Sequence, residues 1–406
     1  MHILLIHQSF AALNEPGGTR HHELARYLAE QGHQVTVIAS PVSYLTGSQN
    51  APSSEEFERY GPGAVRILRT YTYRALHRSF LHRVISFISF MVSSFWAGLR
   101  VQNVDLVWGT SPPIFQGVTA WALARLKHAP FLFEVRDLWP AFAIGVGVLR
   151  QPLLIRASLW LERFLYRHAD RVMVNSPGFL EHIKQRGARR VELVPNGADP
   201  RMFDPLEQGT AFRQANGLEG KFVALYAGAH GMSNDLPVLL EAARLLQDRP
   251  DIRLVLLGDG KEKPALQKLA AEMGLENVCF LPPVAKSDMP QALAGSDACI
   301  AILKPIPLYA TVYPNKVFDY MAAGRPVILA IDGVIRQVVE DARAGIFVPP
   351  GDPTKLADAI RNLADHIELG REMGLRGRAH IEAHFDRAEL AARLERIITA
   401  MVSSEA

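Results

Sequence analysis

Two series of short, near-continuous apolar runs, each run set off from the next by a helical stretch, constrain this chain more than any other feature. In the first half the runs fall at His2–Ile6, Val35–Ala39, Val104–Trp108, Phe131–Val135, Val172–Val174 and Val191–Val194. The second half begins the pattern again at Phe222–Tyr226, Ile252–Leu257, Val278–Leu281, Ala298–Ala301, Val327–Ala330 and Ile346–Val348. Strands without polar alternation are buried on both faces, as parallel strands under two helix layers must be. Helical stretches such as 19–31, Leu236–Leu246 and Lys263–Met273 lie between the strands. The expected architecture is therefore α/β, with two doubly wound parallel sheets. At 406 residues the chain is also too long for one ordinary domain. The turn-rich segment Pro195–Pro200 marks the break, giving domains at 1–200 and 201–385. An amphipathic helix, Arg387–Met401, lies in the remaining 386–406.

The stretch Tyr313–Val327 carries the clearest chemistry. It reads as a short helix with Pro314 at its first position and Gly324 and Pro326 as its stop. The N–H groups of a first helical turn carry partial positive charge, and Lys316 adds a full one. Asp319 lies about a turn further in, roughly 6 Å along the axis, where its carboxylate can accept the two hydroxyls of a ribose. An anion site beside a diol site describes a nucleotide.

The formal charge of +3 conceals an asymmetry: 21 lysines and arginines face 14 acids in residues 1–200, against 23 and 27 in the remainder. A basic N-terminal half points to a phosphate or an acidic lipid surface. Nucleic acid is not expected as a partner, because the basic residues do not interleave with aromatics. Cys279 and Cys299 sit in apolar segments and read as core packing. The start, MHILLI, lacks a basic leader and reads as a first strand, which suits a cytoplasmic protein. Residues 84–99 form an uncharged run between Arg83 and Arg100, preceded by Arg69, Arg74, His77, Arg78 and His82. Ser86, Ser89 and Ser93 fall on one stripe of it. Two readings stand for this segment: a buried helix of the first domain, or a helix lying in a membrane interface with its basic flank on anionic headgroups.

With these pieces in order, the chain resembles the family 4 glycosyltransferases of the GT-B fold, which have two facing Rossmann-like domains. Within that family it is similar to the bacterial O-antigen and exopolysaccharide branch (fucosaminyltransferase-like). The resemblance spans nearly the whole chain through Pro16-Gly17-Gly18, Gln31–Val37, Glu134–Pro140, Val194–Asp199, Tyr226-Ala227-Gly228, Gly258-Asp259-Gly260 and Pro314–Val327. It implies a nucleotide-sugar donor in the C-terminal domain, with UDP favoured by family frequency. An acceptor, polyprenyl-linked or saccharide, is implied in the N-terminal domain. Transfer is expected to proceed with retention, assembled by domain closure, and the last helix to pack back on the first domain.

The family's paired glutamates fall here on Thr311 and Asp319, so the diol-binding position keeps its carboxylate and the sugar-binding position loses its charge. The family's arginine and lysine after Tyr226-Ala227-Gly228 are replaced by His230, Ser233 and Asn234. The cationic role then passes to Lys316, with Lys261 or Lys263 as further candidates. The resemblance places Gly17, Gly18, Gly228, His230, Gly260, Lys263, Val284, Thr311, Tyr313, Asn315, Lys316 and Asp319 at the donor. Where many relatives have a histidine before an aspartate at a strand end, this chain has Arg136 and Asp137. Glu134, Arg136, Asp137 and Lys316 are the catalytic candidates, and no general base is singled out among them.

Each motif also has a plainer reading. Gly17-Gly18 and Gly258-Asp259-Gly260 suit ordinary turns, Phe280–Val284 suits a packing loop, and strand-end charges are often merely solvated. No Asp-x-Asp pair is present, so neither a metal nor another cofactor is expected. A nicotinamide-dependent oxidoreductase is disfavoured because the first turn lacks G-x-G-x-x-G. A GT-B epimerase or phosphorylase, or a catalytically weak nucleotide-sugar-binding subunit, remains the alternative. The expected setting is the inner face of the cytoplasmic membrane, in surface polysaccharide synthesis.

Overall fold

A computed structural model describes residues 1–15, 17–42, 55–74 and 80–403. Pro16, His77 and Arg78 lie outside the described residues. The chain divides into two compact units, the first made of Met1–Ala12, Gly17–Pro195 and Ala388–Ala406, the second of Leu13–Pro16 and Asn196–Arg387.

The first unit holds an eight-stranded sheet. Its strands are β1 (His2–Ile6), β2 (Gln34–Ala39), β3 (Glu55–Tyr60), β4 (Gly63–Arg69), β5 (Leu106–Ser111), β6 (Phe131–Val135), β7 (Arg171–Val174) and β8 (Val191–Leu193). They lie in the order β3-β4-β2-β1-β5-β6-β7-β8. Every pairing is parallel except β3 with β4. That hairpin corrects the expectation of unbroken strand–helix alternation. Its outer strand, EEFERY, is polar because it is an edge, and charges there discourage pairing with another chain. The helices are α1 (Arg20–Glu30), α2 (Phe80–Arg100), α3 (Phe115–Lys127), α4 (Ala141–Gly145), α5 (Pro152–His168) and α6 (Leu180–Gln185).

On one face of the sheet, Leu24 and Leu28 of α1 join Ile3, Leu5, Trp108 and Leu132 in a buried cluster. Leu390, Leu394 and Ile398 of the last helix complete it. On α2 the serine stripe faces the protein: Ser86 is buried, as is Ser94 beside the stripe. Ser89 accepts from the Tyr73 amide at 2.9 Å, and Ser93 donates to the Tyr71 carbonyl at 2.6 Å. The apolar residues on the other side of α2 are exposed, so the expectation of a simply buried helix fails. Among the described residues, no helix is long and apolar enough to cross a membrane.

The second unit carries β9 (Phe222–Ala227), β10 (Ile252–Leu257), β11 (Val278–Leu281), β12 (Ala298–Ile302), β13 (Val327–Ala330) and β14 (Gly345–Phe347), all parallel, in the order β11-β10-β9-β12-β13-β14. Around them lie α7 (Thr210–Ala215), α8 (Leu236–Leu245), α9 (Lys263–Glu272), α10 (Met289–Ala294), α11 (Asn315–Ala322), α12 (Val334–Asp341), α13 (Pro353–Asp365) and α14 (Ile367–His384). The final helix is α15 (Arg387–Ser403). Strand β9 shows why its sequence has no polar alternation. Val223, Leu225 and Ala227 enter one buried cluster, while Phe222, Ala224 and Tyr226 enter the cluster on the opposite face.

Candidate functional site

In an open parallel sheet, ligands bind beyond the carboxyl ends of the strands, where the chain order reverses direction. In the second unit that point is β9, with β10 on one side and β12 on the other. The loops leaving β9 and β10 are zipped together: the Gly228 amide donates to Leu257 O at 2.9 Å, and the His230 amide to Asp259 O at 2.8 Å. Gly258 has φ +146, and a Cβ there would run into the Gly228 carbonyl; one at Gly260 would strike the His230 backbone. Glycine is required here because two main chains touch.

Helix α11 begins beside this loop pair. Pro314 is its N-cap rather than its first helical residue, and the Val317 amide is already spent on Pro314 O at 3.1 Å. Part of the expected anion-binding capacity is therefore internal. The Lys316 side chain runs across the Tyr226 ring, with Nζ 3.9 Å from the centroid. A Cβ built on Gly228 would lie 2.7 Å from that Nζ. The amine is buried without a hydrogen-bond partner, and burial lowers its pKa to about 7. A desolvated amine against a glycine backbone is poised to gain a proton when an anion arrives.

His230 is fully buried between Tyr226 and Phe280, and neither ring nitrogen has a partner. Burial, with Lys263 and Lys316 nearby, brings its pKa to about 4, so the ring is neutral and offers one N–H donor. Asp319 receives the Lys286 amine at 2.6 Å and the Asn315 amide nitrogen at 3.4 Å. Its carboxylate therefore already holds a buried cation.

Several expected donor contacts are otherwise engaged. Lys263 donates to Gly258 O at 2.7 Å and Leu281 O at 2.8 Å, so it clamps two strand ends instead of presenting a free charge. Tyr313 packs its ring against Phe318 and Phe385. Thr311 turns its hydroxyl onto Leu308 O at 2.6 Å. Val284 is half-buried against the core. Asn315 bridges Arg387 and Asp319.

In the first unit the chain order reverses at β1 and β5. His7 follows β1 there, with Nδ1 2.8 Å from Thr110 Oγ1. It stacks on His21 at 3.9 Å. Glu134, the penultimate residue of β6, has no exposure and receives Arg20 Nε at 3.2 Å, His21 Nε2 at 2.6 Å and Trp108 Nε1 at 3.2 Å. Burial alone would raise its pKa, but His21, Arg20 and Arg136 outweigh that and hold it at about 2. Burial pulls His21 down to about 4, so a neutral His21 donates from Nε2 to an ionised Glu134. Glu134, a catalytic candidate from the sequence, thus ties α1 to the sheet, and Arg20 extends the contact to Val194 O and Pro195 O.

Arg136 donates to Pro112 O at 3.3 Å, and its Nε is buried without a partner. Asp137 is exposed. Gly17 has φ +151, whereas a Cβ at Gly18 would meet open space. Among the described residues, no three His, Cys, Asp or Glu side chains gather around a possible metal position.

Sequence reasoning missed His7, Arg20, His21 and Lys286. The position of His7 directly after the first strand was an available signal. Nothing in the spacing announces Lys286, which reaches Asp319 from a different loop.

Residues 17–197 match the family described as glycosyl transferase 4-like domain, and residues 221–366 match glycosyl transferases group 1. The chain is 26% identical to the putative colanic acid biosynthesis glycosyl transferase WcaI of Escherichia coli (strain K12), across 86% of this chain and 89% of that protein. Among solved structures it resembles sucrose-phosphate synthase from Thermosynechococcus elongatus, with a TM-score of 0.80 at 19% identity over 99% of both chains. Anabaena HepE in complex with UDP-glucose gives 0.71 at 18% identity, over 98% of this chain and 100% of that one. Two consecutive glycosyltransferase domains on two Rossmann-like sheets make the chain a GT-B glycosyltransferase of family 4.

Proposed function

We propose that the second unit takes a nucleotide-sugar, with UDP as the nucleotide, and that the sugar passes with retention to a lipid-linked acceptor held by the first unit. The pathway would be cell-surface polysaccharide synthesis at the inner face of the cytoplasmic membrane. The observation that carries this reading is the buried, unpartnered Lys316 amine beside Gly228, with the Asp319 carboxylate one helical turn away. An amine held at about pKa 7 by burial gains most from an approaching diphosphate, and the neutral His230 ring adds a donor. The names of two similar proteins support the same direction, one with colanic acid biosynthesis and one with bound UDP-glucose.

In this reading the acceptor oxygen bonds to the anomeric carbon on the face from which the diphosphate departs. The C1–O bond breaks with its electron pair going to the diphosphate, and the acceptor proton passes to a diphosphate oxygen. Lys316 and His230 meet the negative charge that grows on the leaving group, where one well-placed donor is worth about 3 to 4 kcal/mol. No metal enters the scheme, so the rate should survive a chelator.

Turnover of UDP-, GDP- and dTDP-sugars, with and without EDTA, tests the proposal. Loss of donor affinity in Asp319→Ala is the expected companion result. If no donor is bound or hydrolysed, the transferase reading of the site is wrong. The Lys286–Asp319 pair favours one second reading, a subunit that binds nucleotide-sugars and turns them over poorly. It predicts measurable UDP affinity without hydrolysis.

A further inference from the structure

Helix α2 carries a second apolar stripe besides the side it packs against the protein. Leu81, Ile85, Ile88, Val92 and Trp96 recur at spacings of three and four and form one stripe. In a globular protein such a stripe is turned inward. Here it is exposed, with Leu81 at 65% and Trp96 at 60%, while Phe90 and the serines on the other side of the helix face the protein. The neighbouring helices repeat the pattern. Gly98 of α2 lies against Leu123 of α3, and Gly117 of α3 lies against Leu165 of α5, so the three helices form one layer. On α5, Leu153 is 73% exposed and Trp160 65%. Arg156 and Arg163, three to four residues either side of Trp160, are exposed as well.

Contiguous exposed apolar side chains of this size mark a docking surface. Charge identifies what docks. The three helices carry seven lysines and arginines. Their one carboxylate, Glu162, is buried and held by His182 at 2.9 Å and Arg186 at 2.7 Å. A face of one sign repels a second copy of itself. Exposed leucine, isoleucine and tryptophan set among arginines instead match the boundary between acyl chains and anionic headgroups, where each cation near the surface adds attraction.

We infer that the outer face of α2 and α5 is a membrane-docking surface that seats the first unit on an anionic lipid bilayer. Ile88 and Trp96 enter the acyl boundary while Arg156 and Arg163 meet lipid phosphates. Among the described residues no helix is long and apolar enough to span the bilayer, so attachment would be reversible and salt-sensitive. The inference requires no part of the transfer reading, because docking is measured without turnover.

The test is sedimentation of the full chain with vesicles of mixed phosphatidylglycerol and phosphatidylcholine, and with vesicles of phosphatidylcholine alone. Wild type should pellet with the anionic vesicles, bind neutral ones at least about tenfold more weakly, and release at high salt. The Ile88→Glu/Trp96→Glu and Arg156→Glu/Arg163→Glu variants should each lose about tenfold or more in binding. These side chains are exposed, so hydrolysis of soluble donor should stay at the wild-type level in both variants. Failure of wild type to bind anionic vesicles, or wild-type binding by Ile88→Glu/Trp96→Glu, overturns the inference. So does a wild-type dimer in sedimentation velocity that this variant splits, since the face would then belong to a second copy. If donor hydrolysis fails in every form, the transfer reading falls and the docking result stands.

Discussion

Lys316→Met should make the second unit more stable while making it a worse ligand-binding domain. The Lys316 amine is buried without a hydrogen-bond partner, and burial takes its pKa from an ordinary 10.5 to about 7. Between those values the unfolded chain keeps the proton and the folded protein releases it, so wild-type stability rises with pH across that window. At 1.36 kcal/mol for each tenfold, the buried amine costs about 4 kcal/mol at pH 7, about 2 at pH 9 and nothing above roughly pH 10.5. Contact with the Tyr226 ring returns about 1 kcal/mol while the amine is charged. A methionine keeps the apolar stem, so the variant should gain about 3 kcal/mol at pH 7, with the gain shrinking as pH rises. The five tryptophans, Trp96, Trp108, Trp121, Trp139 and Trp160, all lie in the first unit, so tryptophan emission does not report this change. Amide hydrogen exchange in β9 does, through the slowest amides of Val223 to Leu225. The same variant should bind UDP about 30-fold more weakly, the equivalent of about 2 kcal/mol for a lost charged hydrogen bond. Unchanged or faster exchange at pH 7 would refute the reasoning about burial, and unchanged UDP affinity would refute the role given to the amine.

Two further outcomes follow from the buried ion pairs. Lys286→Met leaves the Asp319 carboxylate without its 2.6 Å partner and should cost about 3 kcal/mol. Adding Asp319→Asn should recover most of that loss, and additive effects in hydrogen exchange would show that the pair is not coupled. Glu134, held at about 2 against an ordinary 4.5, contributes stability that is complete above pH 4.5 and lost as pH falls toward 2. Glu134→Gln should remove about 3 kcal/mol at neutral pH and flatten that acid limb in tryptophan-monitored urea melts. An altered pH–rate profile in a variant of full stability would instead place Glu134 in the chemistry.

Much of the fold is legible in the residues alone, because a strand buried on both faces must be apolar along its whole length. The runs at His2–Ile6, Phe131–Val135 and Ile252–Leu257 have the limits that their composition suggests. Strand β3 escaped because edge strands are selected for charge, and EEFERY has no apolar period. That Lys316 and Asp319 are neighbours could be read because both lie within one short helix, where separation in sequence sets separation in space.

Partnership across the sheet cannot be read that way. Which cation neutralises Asp319, which donors saturate Glu134 and which stripe of α2 faces outward all depend on groups brought together from distant parts of the chain. Local composition thus determined two largely parallel α/β sheets and a helix fit for an anion. Tertiary packing alone decided that one candidate carboxylate is saturated by three donors, that another already holds a lysine, and that an apolar stripe of α2 faces solvent, because burial and pairing are properties of the assembled neighbourhood.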